Sequence, residues 1–121
     1  DARFRRHQII GRAIKSGLAA LGLKEVPVRQ EVSACTLSCA YFPDGIDGQL
    51  LGKVKEQGIV LAGGLHAAIK TRYFRVGHMG AITPGDALAV VGALEKGLAD
   101  LGCPVERGWG VAETQKVLAE L

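Results

Sequence analysis

The stretch Tyr73-Phe74-Arg75-Val76-Gly77-His78-Met79-Gly80, followed shortly by Thr83-Pro84-Gly85-Asp86, decides how this chain reads. Its first half predicts a strand over Tyr73–Val76, with Phe74 and Val76 on one face and Arg75 on the other, because successive side chains on a strand alternate. Its second half opens a helix with three agreeing signals. Thr83 is the cap, Pro84 takes the first helical position, and Asp86 sits where a reciprocal capping-box carboxylate belongs. From there Ala87, Val91, Leu94, Leu98 and Leu101 recur on one face, until Gly102-Cys103-Pro104 ends the helix.

Working upstream, Ile59–Ala62 predicts a short buried strand that runs into Gly63-Gly64. Before it, Asp47 can cap a short helix carrying Leu50, Leu51 and Val54, stopped by Gly58. The run CTLSCAYF over 35–42 alternates and predicts a central strand, closed by Pro43-Asp44-Gly45. Pro27 confines Val26-Pro27-Val28 to an edge strand or loop. The first helix runs from about Arg3 to Leu23, with Ile10, Ile14, Leu18 and Leu21 as its apolar stripe. Downstream, a final helix is expected from about Val111 to Leu121. The resulting order is helix, strand, helix, strand, strand, helix and an additional helix. It predicts an α+β fold, a small, largely antiparallel sheet with helices packed on one face.

The chain has 121 residues, 48% of them hydrophobic and 22% charged, which suits one folded domain and excludes a disordered chain. Aromatics are only 5% while glycines number 17, so the core must be aliphatic with many tight turns or close approaches. No apolar run approaches the roughly 18–20 residues of a membrane helix, so a soluble chain is expected. The net charge of +3 is mild. Its basic groups are Arg3, Arg5, Arg6, Arg12 and Lys15 on the first helix, and Lys70, Arg72 and Arg75; a solvated helix face is the ordinary reading of the first, ahead of nucleic-acid binding. Three cysteines are an odd number. Cys35 and Cys39 would lie roughly 13 Å apart on a straight strand, too far to pair. No zinc spacing is present, and the thiols read as small apolar residues of an intracellular protein.

Few residues announce chemistry. Arg75, projecting from a strand anchored by apolar neighbours, could grip a carboxylate through two parallel hydrogen bonds, although the ordinary reading of such a residue is a surface arginine paired with Asp or Glu. Gly63-Gly64 could let a ligand or another backbone come close, or simply make a turn. His66 and His78 could serve as acid, base or ligand, but isolated histidines are commonly loop or core residues. There is no Ser-His-Asp order, no HExxH and no acidic pair at strand ends.

Taken in order, Gly63-Gly64-Leu65, then Tyr73-Phe74-Arg75-Val76-Gly77-His78-Met79-Gly80, then the helix from Thr83, resembles the C-terminal small domain of class V, fold-type I pyridoxal-phosphate aminotransferases. The alanine–glyoxylate and serine–pyruvate group is the one resembled. The likeness extends upstream to Arg6-His7 and covers about residues 5–103, leaving 104–121 as an additional C-terminal helix. It implies that Arg75 receives the carboxylate of an amino acid or 2-oxo acid, with Gly63 and Gly64 shaping the active-site mouth. It also implies that the Schiff-base lysine and the cofactor-binding residues lie in a large domain preceding Asp1. None of Lys15, Lys24, Lys53, Lys55, Lys70, Lys96 or Lys116 matches the Schiff-base position, so no catalytic or cofactor-binding residue and no metal ligand is expected within these residues.

The expectation is thus a fragment of a homodimeric transaminase that moves an amino group from alanine or serine to glyoxylate or pyruvate. Pyridoxal 5'-phosphate would serve the intact enzyme, and this piece alone would be inactive and bind none. Its partners would be its own large domain and a second copy, without nucleic acid or membrane. An isolated piece is expected to expose an apolar patch around Ile10 and Ile14 on the first helix. A free-standing small ligand-binding module is the alternative. The C-terminal Ala119-Glu120-Leu121 has an acid where an SKL-type peroxisomal signal has a base, and the compartment among peroxisome, mitochondrion and cytoplasm stays open.

Overall fold

A computed structural model describes all residues, 1–121. Four helices and three strands form in the order α1 (Ala2–Ala20), β1 (Leu37–Tyr41), α2 (Gln49–Glu56), β2 (Ala62–Gly63), β3 (Tyr73–Gly77), α3 (Pro84–Asp100) and α4 (Trp109–Leu118), with one short helical turn at Gln30–Val32. All strand pairs are antiparallel and the sheet order is β1-β3-β2. This is the expected α+β arrangement.

Helix α3 starts as its residues dictate. Thr83 accepts from the Asp86 amide at 3.1 Å and Asp86 accepts from the Thr83 amide at 2.8 Å. The Thr83 amide foremost, and then the Thr83 hydroxyl, hold the Asp86 carboxyl below its ordinary range. Gly102, at φ +85°, takes the left-handed conformation that ends this helix after Leu101. Ahead of α2, Asp47 accepts from the Gln49 amide at 2.9 Å, although the position directly capping the helix is Gly48.

The core lies between the helices and one sheet face. Ile10, Ile14 and Leu18 of α1, Leu50 and Val54 of α2, Ala40 of β1, Phe74 and Val76 of β3, and Val91, Leu94 and Leu98 of α3 are all buried in it. Full burial of Ile10 and Ile14 corrects the expectation of an apolar patch there. The stripe that looked available for another domain is consumed by this one's own sheet and α3. The large apolar side chains that do meet solvent include Val28, Val60, Leu65 and Met79, all in loops.

Two strand expectations also change. The run over 35–42 forms β1, but β3 is the central strand. On its other side β1 meets only the chain around Glu25, through a single Glu25–Ala40 bridge flanked by bonds from Val26 and to Lys24. Ile59–Ala62 is not a buried strand. The ladder begins at Ala62, both residues of β2 are exposed, and Val60 is 79% exposed. As a two-residue edge covered by no helix, β2 has nothing to be buried against.

Helix α4 packs against α1 and α3. Gly17 admits Thr114 and Val91 so closely that a Cβ there would overlap Thr114 Oγ1. Gly110 admits Leu21 in the same way, at 2.9 Å from where its Cβ would stand. Glu95 of α3 accepts the amide hydrogens of Gly108 (2.7 Å) and Gly110 (3.1 Å), so the cap of α4 comes from another helix. No helix is long and apolar enough to cross a membrane.

Candidate functional site

The antiparallel register sets Arg75 opposite Cys39 on one side and Ala62 on the other. Directly opposed residues of an antiparallel pair share a sheet face, and Phe74 and Val76 point into the core. Arg75 therefore stands at the middle of the face turned away from the core, half-buried. Its Nε donates to the Gly63 carbonyl at 2.7 Å. No carboxylate lies within ion-pairing distance and its terminal nitrogens bond to no other group of the chain. A guanidinium fixed by one edge and unneutralised at the other can accept an incoming anion without first breaking an ion pair.

Gly63 and Gly64 do different work. Gly63 leaves open space where a Cβ would stand and supplies the carbonyl that holds Arg75. Gly64 is a close approach: a Cβ there would overlap the Tyr73 ring and lie 2.7 Å from the Lys70 carbonyl oxygen. Tyr73 is buried, and its hydroxyl accepts the amide hydrogens of Leu65 and His66 at 2.9 and 3.0 Å. Sequence reasoning treated Tyr73 only as a strand residue. The available signal was a tyrosine facing away from the core side of a short strand, whose phenol must find a partner when buried.

Cys39 flanks Arg75. Burial pushes its thiol up, the Arg75 charge opposes that, and Glu25 adds to the rise. It is a neutral thiol rather than a nucleophile, and all three cysteines are free. No group of three or more His, Cys, Asp or Glu gathers to hold a metal.

The two histidines are not brought together. His66 is in the exposed loop between β2 and β3, its Nδ1 accepting from the Ala68 amide. His78 is fully buried just past the end of β3, with Nε2 2.8 Å from Ser38 Oγ and Nδ1 without a partner. Burial foremost, and then the Lys15 charge, lowers it to about 4. It is a neutral core residue at physiological pH. His7, by contrast, accepts from the Gly80 amide through Nε2 and contacts the Arg3 carbonyl through Nδ1, so Nδ1 carries the proton. Together with Arg6, which donates to the Ile82 carbonyl, it ties α1 to the segment after β3.

The basic run on α1 is largely engaged within the chain. Arg6 holds Ile82, Arg12 pairs with Glu120 at 2.8 Å, and Lys15 donates to the Ala34 carbonyl. A 500 Å³ open pocket lies between α1 and the 30–35 segment, lined by Arg5, Arg12, Lys15, Ser33 and Cys35 among others. It does not include Arg75.

No family model matches the chain. It is 32% identical over 114 residues to an L-aspartate–glyoxylate aminotransferase of Paracoccus denitrificans, covering 93% of this chain and 29% of the relative. It is 31% identical over 114 residues to a serine–glyoxylate aminotransferase of Arabidopsis thaliana, covering 93% of this chain and 28% of that protein. Among solved structures, a ureidoglycine–glyoxylate aminotransferase of Bacillus subtilis superposes with a TM-score of 0.89 at 26% identity, over 97% of this chain and 30% of that one. At that coverage the likeness takes in α4. The chain spans about 30% of the length of these relatives.

Proposed function

This chain belongs to the class V aminotransferases, matching the C-terminal part of its relatives, and from that premise we propose that it supplies the substrate-carboxylate clamp of a pyridoxal-phosphate-dependent transaminase. The carrying observation is Arg75 on the open sheet face, held at Nε by Gly63 and unpaired at its terminal nitrogens. Aspartate, serine, ureidoglycine and glyoxylate, named for the relatives, share one feature, a carboxylate beside the reacting carbon. A planar guanidinium is complementary to that common group and indifferent to the rest of the donor. The proposed reaction moves an amino group from a small amino acid such as alanine or serine to glyoxylate or pyruvate.

The residues of this chain do not build a cradle for the cofactor. A Schiff-base lysine needs an unencumbered amine in an enclosed site. Here Lys53, Lys96 and Lys116 pair with carboxylates at the surface, and Lys15, the buried one, is spent on the Ala34 carbonyl. The remaining Lys24, Lys55 and Lys70 are exposed. The proposal therefore places the cofactor and its lysine in a large domain of the same enzyme, working as a homodimer. The exposed Val60, Leu65 and Met79 are candidates for contact with that domain. Within this chain, Arg75 binds and orients the carboxylate, and Gly63 and Gly64 shape the approach to it.

Arg75→Lys in the intact enzyme tests the reading. Lysine keeps the charge and loses the fork, and a charge-assisted hydrogen bond is worth about 1.5–3 kcal/mol, so kcat/KM falls roughly ten- to hundredfold. Cofactor retention stays near normal. An Arg75→Lys enzyme with unchanged kcat/KM for alanine and serine refutes the clamp.

A further inference from the structure

We infer that Tyr73 is the positioning residue of the Arg75 clamp and that the clamp receives a carboxylate end-on; the inference rests on the reading of Arg75 above. An arginine can hold a carboxylate with two parallel bonds in two ways, from its side through Nε and one terminal nitrogen, or from its end through both terminal nitrogens. Here Nε is already committed to the Gly63 carbonyl at 2.7 Å. Only the end remains.

The aim of that end is set by where Gly63 sits. Gly63 belongs to a two-residue edge strand that is exposed at both positions and paired on one side only. Such an edge would wander if nothing held the chain beyond it. What holds it is Tyr73. Its buried phenol oxygen accepts two consecutive amide hydrogens, Leu65 at 2.9 Å and His66 at 3.0 Å, and its ring fills the space that a Cβ on Gly64 would need. The exposed loop after β2 is thus bolted to the strand that carries Arg75, two residues before it. Tyr73 does not touch the bound carboxylate. It acts by keeping the Gly63 carbonyl under Nε.

The test uses the full-length enzyme carrying this segment, loaded with its cofactor, and propionate as a non-reacting monocarboxylate measured by titration calorimetry. Tyr73→Phe keeps the ring over Gly64 and deletes only the hydroxyl. The dissociation constant of propionate and the KM for alanine are expected to rise together, about five- to twentyfold, the scale of one lost hydrogen bond of this kind. Turnover at saturation and cofactor retention stay within about twofold. Unchanged propionate binding in Tyr73→Phe overturns the inference, as does a parallel loss of turnover and cofactor, which would mark a general structural role. Arg75→Lys on the same titration separates the two claims. If it leaves propionate binding unchanged, the clamp itself is wrong; if it weakens binding while Tyr73→Phe does not, only the positioning role falls. Hydrogen exchange in the unaltered enzyme adds an outcome that needs no variant. The Leu65 and His66 amides are expected to be protected despite their exposed loop, and exchange at free-loop rates would overturn the inference.

Discussion

Replacing Glu95 by alanine should unfasten the C-terminal helix. Glu95 is 9% exposed and its two carboxylate oxygens accept from Gly108 at 2.7 Å and Gly110 at 3.1 Å. Both donors are amides at the start of α4, where no backbone carbonyl within the helix can reach them. The α4 residue at the capping position is Gly108, which has no side chain to offer. Glu95→Ala removes both acceptors at once. Each hydrogen bond to a charged acceptor is worth about 1.5–3 kcal/mol, and because α4 can fray to let water reach the amides, the two together should cost about 3 kcal/mol, the low end of their sum. That is a large part of the roughly 5–15 kcal/mol stability of a small domain. Near this size it amounts to about 12 °C in the melting midpoint, at about 4 °C per kcal/mol. Glu95→Gln keeps one acceptor and should lose about half as much. The assay is urea unfolding followed by fluorescence of Trp109, the single tryptophan and the first residue of α4. In Glu95→Ala the tryptophan signal should change at lower urea than far-UV circular dichroism does. A variant within 1 kcal/mol of the parent, with coincident transitions, refutes the idea that α4 is capped from α3.

Two further outcomes follow from packing and burial. His78 is neutral in the fold at about 4, against an ordinary value of 6.5, so the unfolded chain binds the extra proton between those values. Stability is then complete above pH 6.5 and falls as the pH drops toward 4, by up to about 3 kcal/mol at 1.36 kcal/mol per unit. Melting across pH 4–7 should show that slope in the parent and lose it in His78→Gln, and equal slopes would contradict the buried-imidazole account. Gly17→Ala gains helix propensity of about 1 kcal/mol, yet drives a methyl into Thr114 Oγ1 with both Val91 methyls 2.9 Å away. Overpacking of about 1–3 kcal/mol or more should win, so a net destabilisation by denaturant titration is expected, and a stabilised variant would show that α4 can shift at little cost.

Local chemistry decided much of this protein without help. Thr83, Pro84 and Asp86 are neighbours in the chain, so the start of α3 was legible and forms as read. The alternation around Arg75 was legible too, since facing on a strand needs only a period of two. The likeness carried by 63–65 and 73–80 points to the aminotransferases from the sequence alone. Tertiary structure decided what depends on residues far apart in sequence. Whether β1 or β3 is central is a matter of which edges meet, and alternation within one strand is silent on it. Ile10 and Ile14 formed a visible stripe, but which surface would cover it depended on how α1 lay across the sheet and α3. Whether Arg75 stands in an ion pair was likewise open in the sequence; its Nε meets the carbonyl of Gly63, twelve residues away, and no acid lies beside it. The tie from Tyr73 to Leu65 and His66 and the cap from Glu95 to Gly108 and Gly110 have the same character. A hydrogen bond across a loop leaves no periodic mark in sequence, because its partners are set by where the folded chain returns rather than by spacing.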